Sequence, residues 1–358
     1  MQPKDRLDPA VFNLPVEKMR AGYYSDQYFN RTATILKRDG YHPVVRMQVF
    51  QRSEAVLCGI DEAIAILKLC SEDWNALTVR ALRDGDAVGP YETVMTIEGP
   101  YDAFARLETP YLGVLTRRTR IATNARTIVD AANGKTVLFF PARFDHHLVQ
   151  TGDGYAAYIS GALGVSTDAN AEWWGARGMG TVPHGLIAAY GGDTVLATRK
   201  FAEYIEPDVS VISLVDYDND CVGTSLACAR ALGERLWGVR LDTSGTLVDK
   251  SVQPQMGTFK PTGVVPRLVR NVREALDAEG FAHVRIVVSG GFNPEKISSF
   301  EAEHVPVDAY AVGSAFFDNA GKYDFTADIV ARKVDGAWQE CHKVGRPERH
   351  SARLQTVT

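Results

Sequence analysis

From about residue 101 onward, short and fully apolar segments alternate with longer helical patterns. These segments predict strands at 136–143, 209–216, 236–242, 284–291 and 307–314. Continuous apolar strands between helices are typical of a parallel sheet whose faces are covered. Each strand also ends in polar residues or glycine, such as Arg143, Asp216 and Ser289. In a parallel barrel these ends converge on one site, whereas an open sheet gathers ligand contacts mainly at its switch point, so the pattern favours a barrel.

The N-terminal part of the chain has a different pattern. Short β-branched segments between about residues 40 and 98 are separated by turn residues, and one helical segment, DEAIAILKL, interrupts them. This pattern predicts a small α+β domain with an antiparallel sheet. Strand-like sequence returns late in the chain, in YDFTADIVARKVDGAWQE. We therefore expect an N-terminal α+β domain over 1–105, an α/β barrel over 106–318, and a tail over 319–358 that packs back on the N-terminal domain.

Charge and cysteine content argue against several classes of protein. The 358 residues carry a net charge of −5, which does not suit a general nucleic-acid binder, because phosphate contacts need a basic surface. The five cysteines include no CxxC pair, so neither a disulfide framework nor a cysteine zinc site is indicated. No apolar stretch approaches the roughly 18 residues of a membrane span, and no secretory signal is visible. We therefore expect a cytoplasmic protein without nucleic-acid or membrane partners.

Two successive strand ends carry glycine motifs that suit a phosphate group. In SGGFNPEKI, Ser289, Gly290 and Gly291 precede a helix that opens with proline. Glycines let the backbone approach an anion, and a helix N-terminus presents free N–H groups. AVGSAF repeats the arrangement with Gly313 and Ser314, and parallel barrels commonly bind phosphate with their last two strand loops. Ordinary turn glycines are the alternative interpretation.

Charged and aromatic residues at the other strand ends are candidate ligand contacts. Arg240 and Asp242 lie two residues apart, hence on one face of a strand, where the pair could bind a phosphate, ribose hydroxyls or Mg²⁺, or form a buried ion pair. FPAR places Phe140 and Arg143 three residues apart, which suits a flat anionic ring, although packing in the core is the more common fate of such a phenylalanine. Among the acids of VISLVDYDND, Asp216 is the one placed for ligand contact.

Two further segments leave their roles open on the residues alone. His184 ends GTVPH and begins an apolar helical stretch, where it is either an ordinary helix-entry residue or a reacting group. The segment YYSDQYFNRT, which contains Tyr28, is rich in aromatic residues yet follows neither periodic pattern. It could cover a partner subunit, act as a lid, or serve a plain structural role.

Taken together, the motifs resemble the nicotinate phosphoribosyltransferases, the type II phosphoribosyltransferases of NAD biosynthesis, in their shorter archaeal-like branch. They follow one another as SDQYFNRT, FPAR, GVSTDA, GTVPH, the strand end at Asp216, GVRLDT, VSGGFNPEKI and AVGSAF. The resemblance implies an irregular TIM-like α/β barrel with a smaller α+β domain. It also implies a reaction that joins nicotinate to phosphoribosyl pyrophosphate (PRPP), with Mg²⁺ as cofactor, ATP as co-substrate and a transiently phosphorylated histidine.

The resemblance also implies a role for each candidate residue. His184 would be the phosphorylated histidine. Asp216 and Asp242 would orient His184, or would bind the ribose of the substrate or the Mg²⁺ that accompanies it. The residues that would bind nicotinate are Tyr28, Phe140, Arg143, Ser166, Thr181 and Arg240. Those that would bind the phosphates of PRPP are Arg240, Ser289, Gly290, Gly291, Gly313 and Ser314. Phe140 would stack on the ring and Tyr28 would reach in from a neighbouring subunit, so at least a dimer with shared active sites is expected.

Some features of the chain bear on the choice of activity. Nicotinamide-using relatives carry an acidic residue at the position that matches Ser166, so serine favours nicotinate. The chain reads RLDTSGTL where larger relatives read RLDSGD, and it lacks the cysteine cluster that ends some short-branch members. The alternatives are a nicotinamide or quinolinate phosphoribosyltransferase on the same fold, a barrel lyase or isomerase acting on a sugar phosphate, and a non-catalytic nucleotide-binding relative.

Overall fold

The computed structural model describes residues 5–358. The helices, in chain order, are α1 (Val16–Arg20), α2 (Gln27–Asp39), α3 (Ile60–Cys70), α4 (Tyr101–Phe104), α5 (Glu108–Ala131), α6 (Gln150–Ile159), α7 (Asp168–Ala171), α8 (His184–Ala189), α9 (Thr194–Tyr204), α10 (Cys221–Leu232), α11 (Pro266–Ala278) and α12 (Pro294–Ala302). The strands are β1 (Val44–Phe50), β2 (Ala55–Val56), β3 (Thr78–Ala81), β4 (Ala87–Val88), β5 (Thr93–Pro100), β6 (Thr136–Phe139), β7 (Gly164–Val165), β8 (Val211–Leu214), β9 (Leu236–Leu241), β10 (Arg285–Val288), β11 (Ala309–Val312), β12 (Thr326–Val334), β13 (Ala337–Glu340) and β14 (Gln355–Thr356).

The chain forms two compact units. One contains the chain up to Thr123 together with Asn319–Thr358, and the other contains Asn124–Asp318. The sequence analysis placed the first boundary earlier, between 105 and 106. Helix α5 begins at Glu108 and runs without a break to Ala131, so it continues across the point where the two units divide. In the described part of the chain, no helix is both long and apolar enough to cross a membrane.

The first unit is built on an antiparallel sheet that takes strands from both ends of the chain. The strand order is β13–β12–β1–β5–β3–β14, so the C-terminal strands occupy both edges. Strand β12 pairs with β1 with Ala327 opposite Val49, and β14 pairs with β3 with Gln355 opposite Ala81. The smaller α+β domain expected from the N-terminal segment and the C-terminal tail is therefore present.

Helix α3 is the helix that DEAIAILKL predicts, and it is buried on nearly all sides. Its apolar residues join the core of the first unit. Its first turn also buries two acids, and each of them is paired: Asp61 with Arg6 at 2.7 Å and Glu62 with Arg118 at 3.0 Å. Pairing of this kind is what allows a carboxylate to stay charged inside a protein.

The second unit contains a parallel sheet with the strand order β7–β6–β11–β10–β9–β8. All the strands predicted from 136 onward are present, each shorter than predicted, because pairing stops before the polar residues at its carboxyl end. Sequence reasoning missed strand β7, which has only two residues and therefore shows no apolar run. Val165 of this strand lies opposite Phe139 of β6. The α/β fold with a parallel sheet is confirmed.

The parallel sheet curves as an open half-barrel whose edge strands are β7 and β8. The irregular segment before helix α8 lies between these two edges. The N–H of Met179 donates to the carbonyl of Val165 on β7 at 2.7 Å, and the N–H of Val182 donates to the carbonyl of Ile212 on β8 at 3.0 Å. Val182 is fully buried. This bridging segment, residues 176–183, leads directly into His184 at the carboxyl ends of the strands.

Candidate active site

A pocket of about 560 Å³ opens at the carboxyl ends of the parallel strands. Most of the residues predicted for the site line it: Phe140, Arg143, Ser166, His184, Arg240, Asp242, Ser289, Gly290, Gly291, Gly313 and Ser314. In parallel α/β folds this end of the sheet is where ligands bind, because the loops after the strands meet there. The strand ends that sequence reasoning selected therefore do converge.

Arg240 is held by a network of hydrogen bonds in the pocket. Its guanidinium donates to the hydroxyl of Ser289 at 2.8 Å and to a carboxylate oxygen of Asp242 at 3.1 Å. A further N–H donates to the hydroxyl of Thr181 at 3.3 Å. Ser289 in turn donates to the other carboxylate oxygen of Asp242 at 2.6 Å. The arginine is thus fixed in direction and still faces the pocket, and the ion pair that was left open as an alternative is present.

His184 is the first residue of helix α8, and its side chain does not cap that helix. Its Nε2 lies 3.0 Å from a carboxylate oxygen of Asp216, at the end of β8. The histidine side chain is 47% exposed, whereas that of Asp216 is 8% exposed. A carboxylate at this distance accepts from an Nε2–H, and in that tautomer the lone pair of a neutral imidazole lies on Nδ1. A buried carboxylate behind an accessible imidazole is the arrangement that orients a reacting histidine.

The environment of Asp216 opposes its ionisation. Burial raises the pKa of this carboxyl above its ordinary value, and the charge of Asp242 adds to the increase. The hydrogen bond and the charge of His184 act in the other direction. Carboxyl groups whose pKa is perturbed by burial are common at sites that bind a ligand or carry out a reaction.

The wall formed by β6 and β7 is aromatic and contains an unsatisfied hydroxyl. Phe140 follows β6, and the guanidinium carbon of Arg240 lies 5.9 Å from the centre of its ring. Ser166 follows β7, and its hydroxyl oxygen is buried without a hydrogen-bond partner in the described chain. Arg143 and Phe144 extend this wall on a short 3₁₀ helix, with the guanidinium 5.5 Å from the ring centre of Phe144. A buried hydroxyl without a protein partner is completed by a water molecule or by a polar group of a ligand.

The opposite wall carries the glycine turns. Gly290 and Gly291 follow β10 with φ values of 86° and 71°, a left-handed conformation that favours glycine. Helix α12 then begins, with the Asn293 side chain accepting from the backbone N–H of Lys296. On the neighbouring strand β11, Gly313 precedes a 3₁₀ helix that begins at Ser314. Both turns therefore present helix N-termini beside the pocket, which suits an anion.

Tyr28 is the predicted site residue that lies outside this unit. It belongs to helix α2 of the first unit, where its side chain is 60% exposed. Partial desolvation and the charges of the nearby Asp26 and Glu108 raise the pKa of its phenol. Asp216 and Thr181, the other predicted residues not in the pocket lining, contact His184 and Arg240, respectively, which do line it.

Sequence reasoning missed Lys296, even though the motif SGGFNPEKI contains it. Its ammonium group donates to the carbonyl of Gly290 at 3.2 Å. The sequence analysis considered the strand ends, and Lys296 lies in the helix beyond the strand. The available signal was its spacing: the third residue of a helix that follows a glycine turn lies beside that turn.

No group of three or more His, Cys, Asp or Glu side chains suited to holding a metal ion occurs in the described residues. The carboxylates of Asp216 and Asp242 nevertheless lie close enough for each to feel the other's charge. Mg²⁺ is commonly held by one or two carboxylates together with the phosphate oxygens of a substrate. The donor set therefore fits a magnesium ion that arrives with a phosphorylated substrate rather than a site made by the protein alone.

Comparison with known proteins extends this geometry to a family. A model of the quinolinate phosphoribosyl transferase N-terminal domain matches residues 26–119. The crystal structure of a nicotinate-nucleotide pyrophosphorylase from Pyrococcus furiosus is similar to this chain, with 33% sequence identity and a TM-score of 0.79. The alignment covers 96% of this chain and 85% of that one. This chain belongs to the type II phosphoribosyltransferase family. The resemblance that the motifs indicated is thereby confirmed.

Curated members of the phosphoribosyltransferase family are also similar to the chain. Nicotinate phosphoribosyltransferase pncB1 of Mycobacterium tuberculosis is 31% identical over 287 residues, which are 75% of this chain. Nicotinate phosphoribosyltransferase of Bacillus subtilis is 23% identical over 366 residues, which cover 91% of this chain and 70% of that protein. The chain spans only 58% of the mycobacterial protein's length.

Proposed function

We propose that this phosphoribosyltransferase acts on nicotinate in NAD biosynthesis. It joins nicotinate to PRPP and yields nicotinate mononucleotide and pyrophosphate. One observation carries the proposal: a single pocket joins an aromatic wall, with arginine and an orphaned hydroxyl, to a pair of glycine turns. The wall suits a flat ring with a carboxylate, and the turns suit the 5′-phosphate of PRPP. The nicotinate phosphoribosyltransferases among its relatives support the same activity.

The reaction requires little covalent chemistry from the protein. The lone pair of the pyridine nitrogen forms the new bond to C1 of ribose, while the bond from C1 to the pyrophosphate oxygen breaks and its electron pair leaves with pyrophosphate. The nitrogen is already nucleophilic, so no base is needed. Catalysis then rests on holding the ring and the sugar in line and on stabilising the charge of the leaving group. Arg240, fixed by Asp242 and Ser289, is positioned for that charge.

The ring itself is proposed to lie against Phe140. Its carboxylate then accepts hydrogen bonds from the guanidinium of Arg143 and from the hydroxyl of Ser166, which has no other partner in the described chain. A second copy of the chain supplies Tyr28 to the other face of the ring, so the active form is at least a dimer. The exposure of Tyr28 on α2 supports this role.

Quinolinate is the second candidate substrate, because the N-terminal model that matches residues 26–119 is that of a quinolinate phosphoribosyltransferase. Quinolinate carries two carboxylates, so its pocket needs more positive charge than that of nicotinate. In the described residues that line the pocket, the arginines are Arg143 and Arg240, and Arg240 is already paired with Asp242. This balance of charge favours the substrate with one carboxylate.

We infer that ATP stimulates the reaction through His184. The lone pair on Nδ1 attacks the γ-phosphorus of ATP, the bond to the bridging oxygen breaks, and its electron pair leaves with ADP, while the proton stays on Nε2 and remains hydrogen-bonded to Asp216. The hydrogen bond to Asp216 supports this role because it fixes the tautomer and the ring direction. Mg²⁺ would be held by Asp216 or Asp242 together with substrate phosphates, and it supplies charge neutralisation at those phosphates.

The activity is tested with purified protein, Mg²⁺ and PRPP. Nicotinate, nicotinamide and quinolinate are offered separately, each with and without ATP, and the mononucleotide products are identified by mass. We expect nicotinate mononucleotide, formed faster with ATP, and a phosphate on His184 that is absent from a His184→Ala variant. Product from quinolinate with release of carbon dioxide, or from nicotinamide alone, would assign a sister activity instead. No product from any base would overturn the proposal.

A further inference from the structure

Lys296 lies directly behind the glycine turn at the end of β10. Its Nζ donates to the carbonyl of Gly290 at 3.2 Å. The same nitrogen lies 4.1 Å from the ring centre of Phe292 and 5.8 Å from that of Phe300. Both rings are buried and pack edge to face, with their centres 5.0 Å apart. The ammonium group is therefore held by one carbonyl oxygen and two aromatic faces, close to the backbone that turns at Gly290 and Gly291.

The charge of Lys296 is not compensated in the described chain. No carboxylate of the described residues forms a salt bridge with it, and the charged group that acts on it is another cation, Lys260, from the connection between β9 and α11. Two acids of the neighbouring elements are engaged elsewhere, and Glu295, the preceding residue on α12, forms no salt bridge with Lys296. Asp242 accepts from Arg240 and Ser289, and Glu301 pairs with Lys135. Burial, with the charge of Lys260 added, lowers the pKa of Lys296 to about 8.

A half-buried ammonium group that has no paired carboxylate and that is repelled by a second cation is in an unfavourable environment, which an anion would relieve. The nearest place for an anion in this fold is the glycine turn itself, whose carbonyl Lys296 already holds. We propose that Lys296 is a positioning residue for the phosphate group of the substrate. It holds the Gly290–Gly291 turn and supplies its positive charge when the phosphate binds there. This inference rests on the proposed function in so far as the phosphate is taken to be that of PRPP.

The proposal has a consequence for pH that a purely structural lysine does not share. A phosphate dianion favours the ammonium form, so binding raises the pKa of Lys296 and takes up a proton near pH 8. Above pH 8 the free protein must first gain that proton, so its affinity for the phosphate ligand falls by up to about tenfold per pH unit. Replacement by methionine removes the charge and keeps the apolar contacts with the rings, whereas replacement by arginine keeps the charge at every accessible pH.

The test uses ribose 5-phosphate, which carries the phosphate without the reaction. Its dissociation constant is measured by calorimetry at pH 7 and pH 9 for the wild type, Lys296→Met, Lys296→Arg and the control Lys200→Met. Lys200 is a partly exposed lysine on α9 that pairs with Glu203 and does not line the pocket. We expect the wild type to bind about tenfold more weakly at pH 9 than at pH 7. Lys296→Met is expected to bind equally weakly at both values, Lys296→Arg to bind well at both, and Lys200→Met to behave as the wild type.

Steady-state rates separate this inference from the activity itself. If nicotinate mononucleotide is formed, Lys296→Met should raise the KM for PRPP about tenfold with little change in kcat. Wild-type binding and wild-type pH dependence in Lys296→Met would overturn the role of Lys296 while leaving the activity intact. Conversely, if the wild type forms no mononucleotide yet binds ribose 5-phosphate with the expected dependence on Lys296, the proposed activity fails and the phosphate-positioning role stands.

Discussion

Replacing Asp216 with asparagine tests whether His184 is held for chemistry. The carboxylate lies 3.0 Å from Nε2 of the imidazole and is nearly buried behind it. Asparagine keeps the shape of the side chain, and its amide oxygen still accepts the Nε2 proton. It cannot offer a negative charge to an imidazole that becomes cationic or phosphorylated. The variant therefore removes the electrostatic part of the interaction and leaves the geometry in place.

The magnitude follows from the type of hydrogen bond that is lost. A hydrogen bond to a charged group contributes about 1.5–3 kcal/mol, whereas one between neutral groups contributes about 0.5–1.5 kcal/mol. The difference of about 1–2 kcal/mol corresponds to a fall of about 5- to 30-fold in the ATP-stimulated rate. The rate without ATP does not pass through a phosphorylated imidazole, so if Asp242 is the carboxylate that holds Mg²⁺, this rate should change by less than about twofold on the same scale.

Stability should respond in the opposite direction. Burial raises the pKa of Asp216, so the folded state binds its proton more tightly than the unfolded chain does. Stability is thus lost as pH rises from the unfolded pKa through the folded pKa, and at pH 7 the charged carboxylate opposes folding. Asp216→Asn removes this charge, so the variant should melt no lower than the wild type at pH 7. A loss of activity could then not be attributed to unfolding.

The assay measures initial rates of mononucleotide formation with and without ATP, together with melting temperatures. Asp220→Asn is the matched control, because this carboxylate lies four residues further along the same loop. It caps α10 through the N–H of Gly223 and pairs with Lys250 at the surface. Asparagine is an equally good cap, so the control should retain its ATP stimulation. If Asp216→Asn keeps the wild-type ratio of the two rates, the role assigned to Asp216 is refuted.

Three further changes test other parts of the structure. Ser166→Asp places a carboxylate against the proposed site of the nicotinate carboxylate, so kcat/KM should fall at least about tenfold for nicotinate and rise for nicotinamide. The control is Ser166→Ala, which should lower kcat/KM for nicotinate without raising it for nicotinamide. An unchanged substrate preference in Ser166→Asp would contradict the assignment. Gly290→Ala introduces a side chain at a φ of 86°, so the free energy of unfolding, measured in urea, should fall by about 1–2 kcal/mol, and the KM for PRPP should rise. Gly257→Ala, in an open loop, should change neither quantity. Burial raises the pKa of Glu108 to about 8, so the wild type should lose up to about 1.4 kcal/mol of stability per pH unit between pH 5 and 8. A Glu108→Gln variant with the same loss would show that another group is responsible.

Features that depend on local pattern were predictable from the sequence. The apolar strands of the parallel sheet were found because burial on both faces leaves an uninterrupted run of apolar residues. The turn at Gly290 and Gly291 was found because a left-handed backbone before a helix selects glycine, and φ values of 86° and 71° show that the selection is real. The short strand β7 was not predicted, because its two residues, Gly164 and Val165, are too few to show either an alternating or an uninterrupted apolar pattern.

Contacts between distant residues were not predictable in the same way. Spacing placed Arg240 and Asp242 on one face of a strand, and the structure pairs them at 3.1 Å. It could not reveal that Ser289 and Thr181 complete the network, because those residues come from another strand and from an irregular segment. Lys296 escaped for a related reason. Its significance comes from the carbonyl it reaches and from the rings beneath it rather than from its place on a strand.

His184 shows how the open barrel and the candidate chemistry depend on one another. The bridging segment 176–183 donates a hydrogen bond to each edge of the half-barrel, to Val165 on one side and to Ile212 on the other. Its last residues therefore have a fixed height along the strands, and the helix that follows must begin at their carboxyl ends. A closed barrel would leave no gap for this segment, and His184 would lose the position from which it reaches Asp216. The gap in the sheet is thus what brings an accessible imidazole to the end of β8.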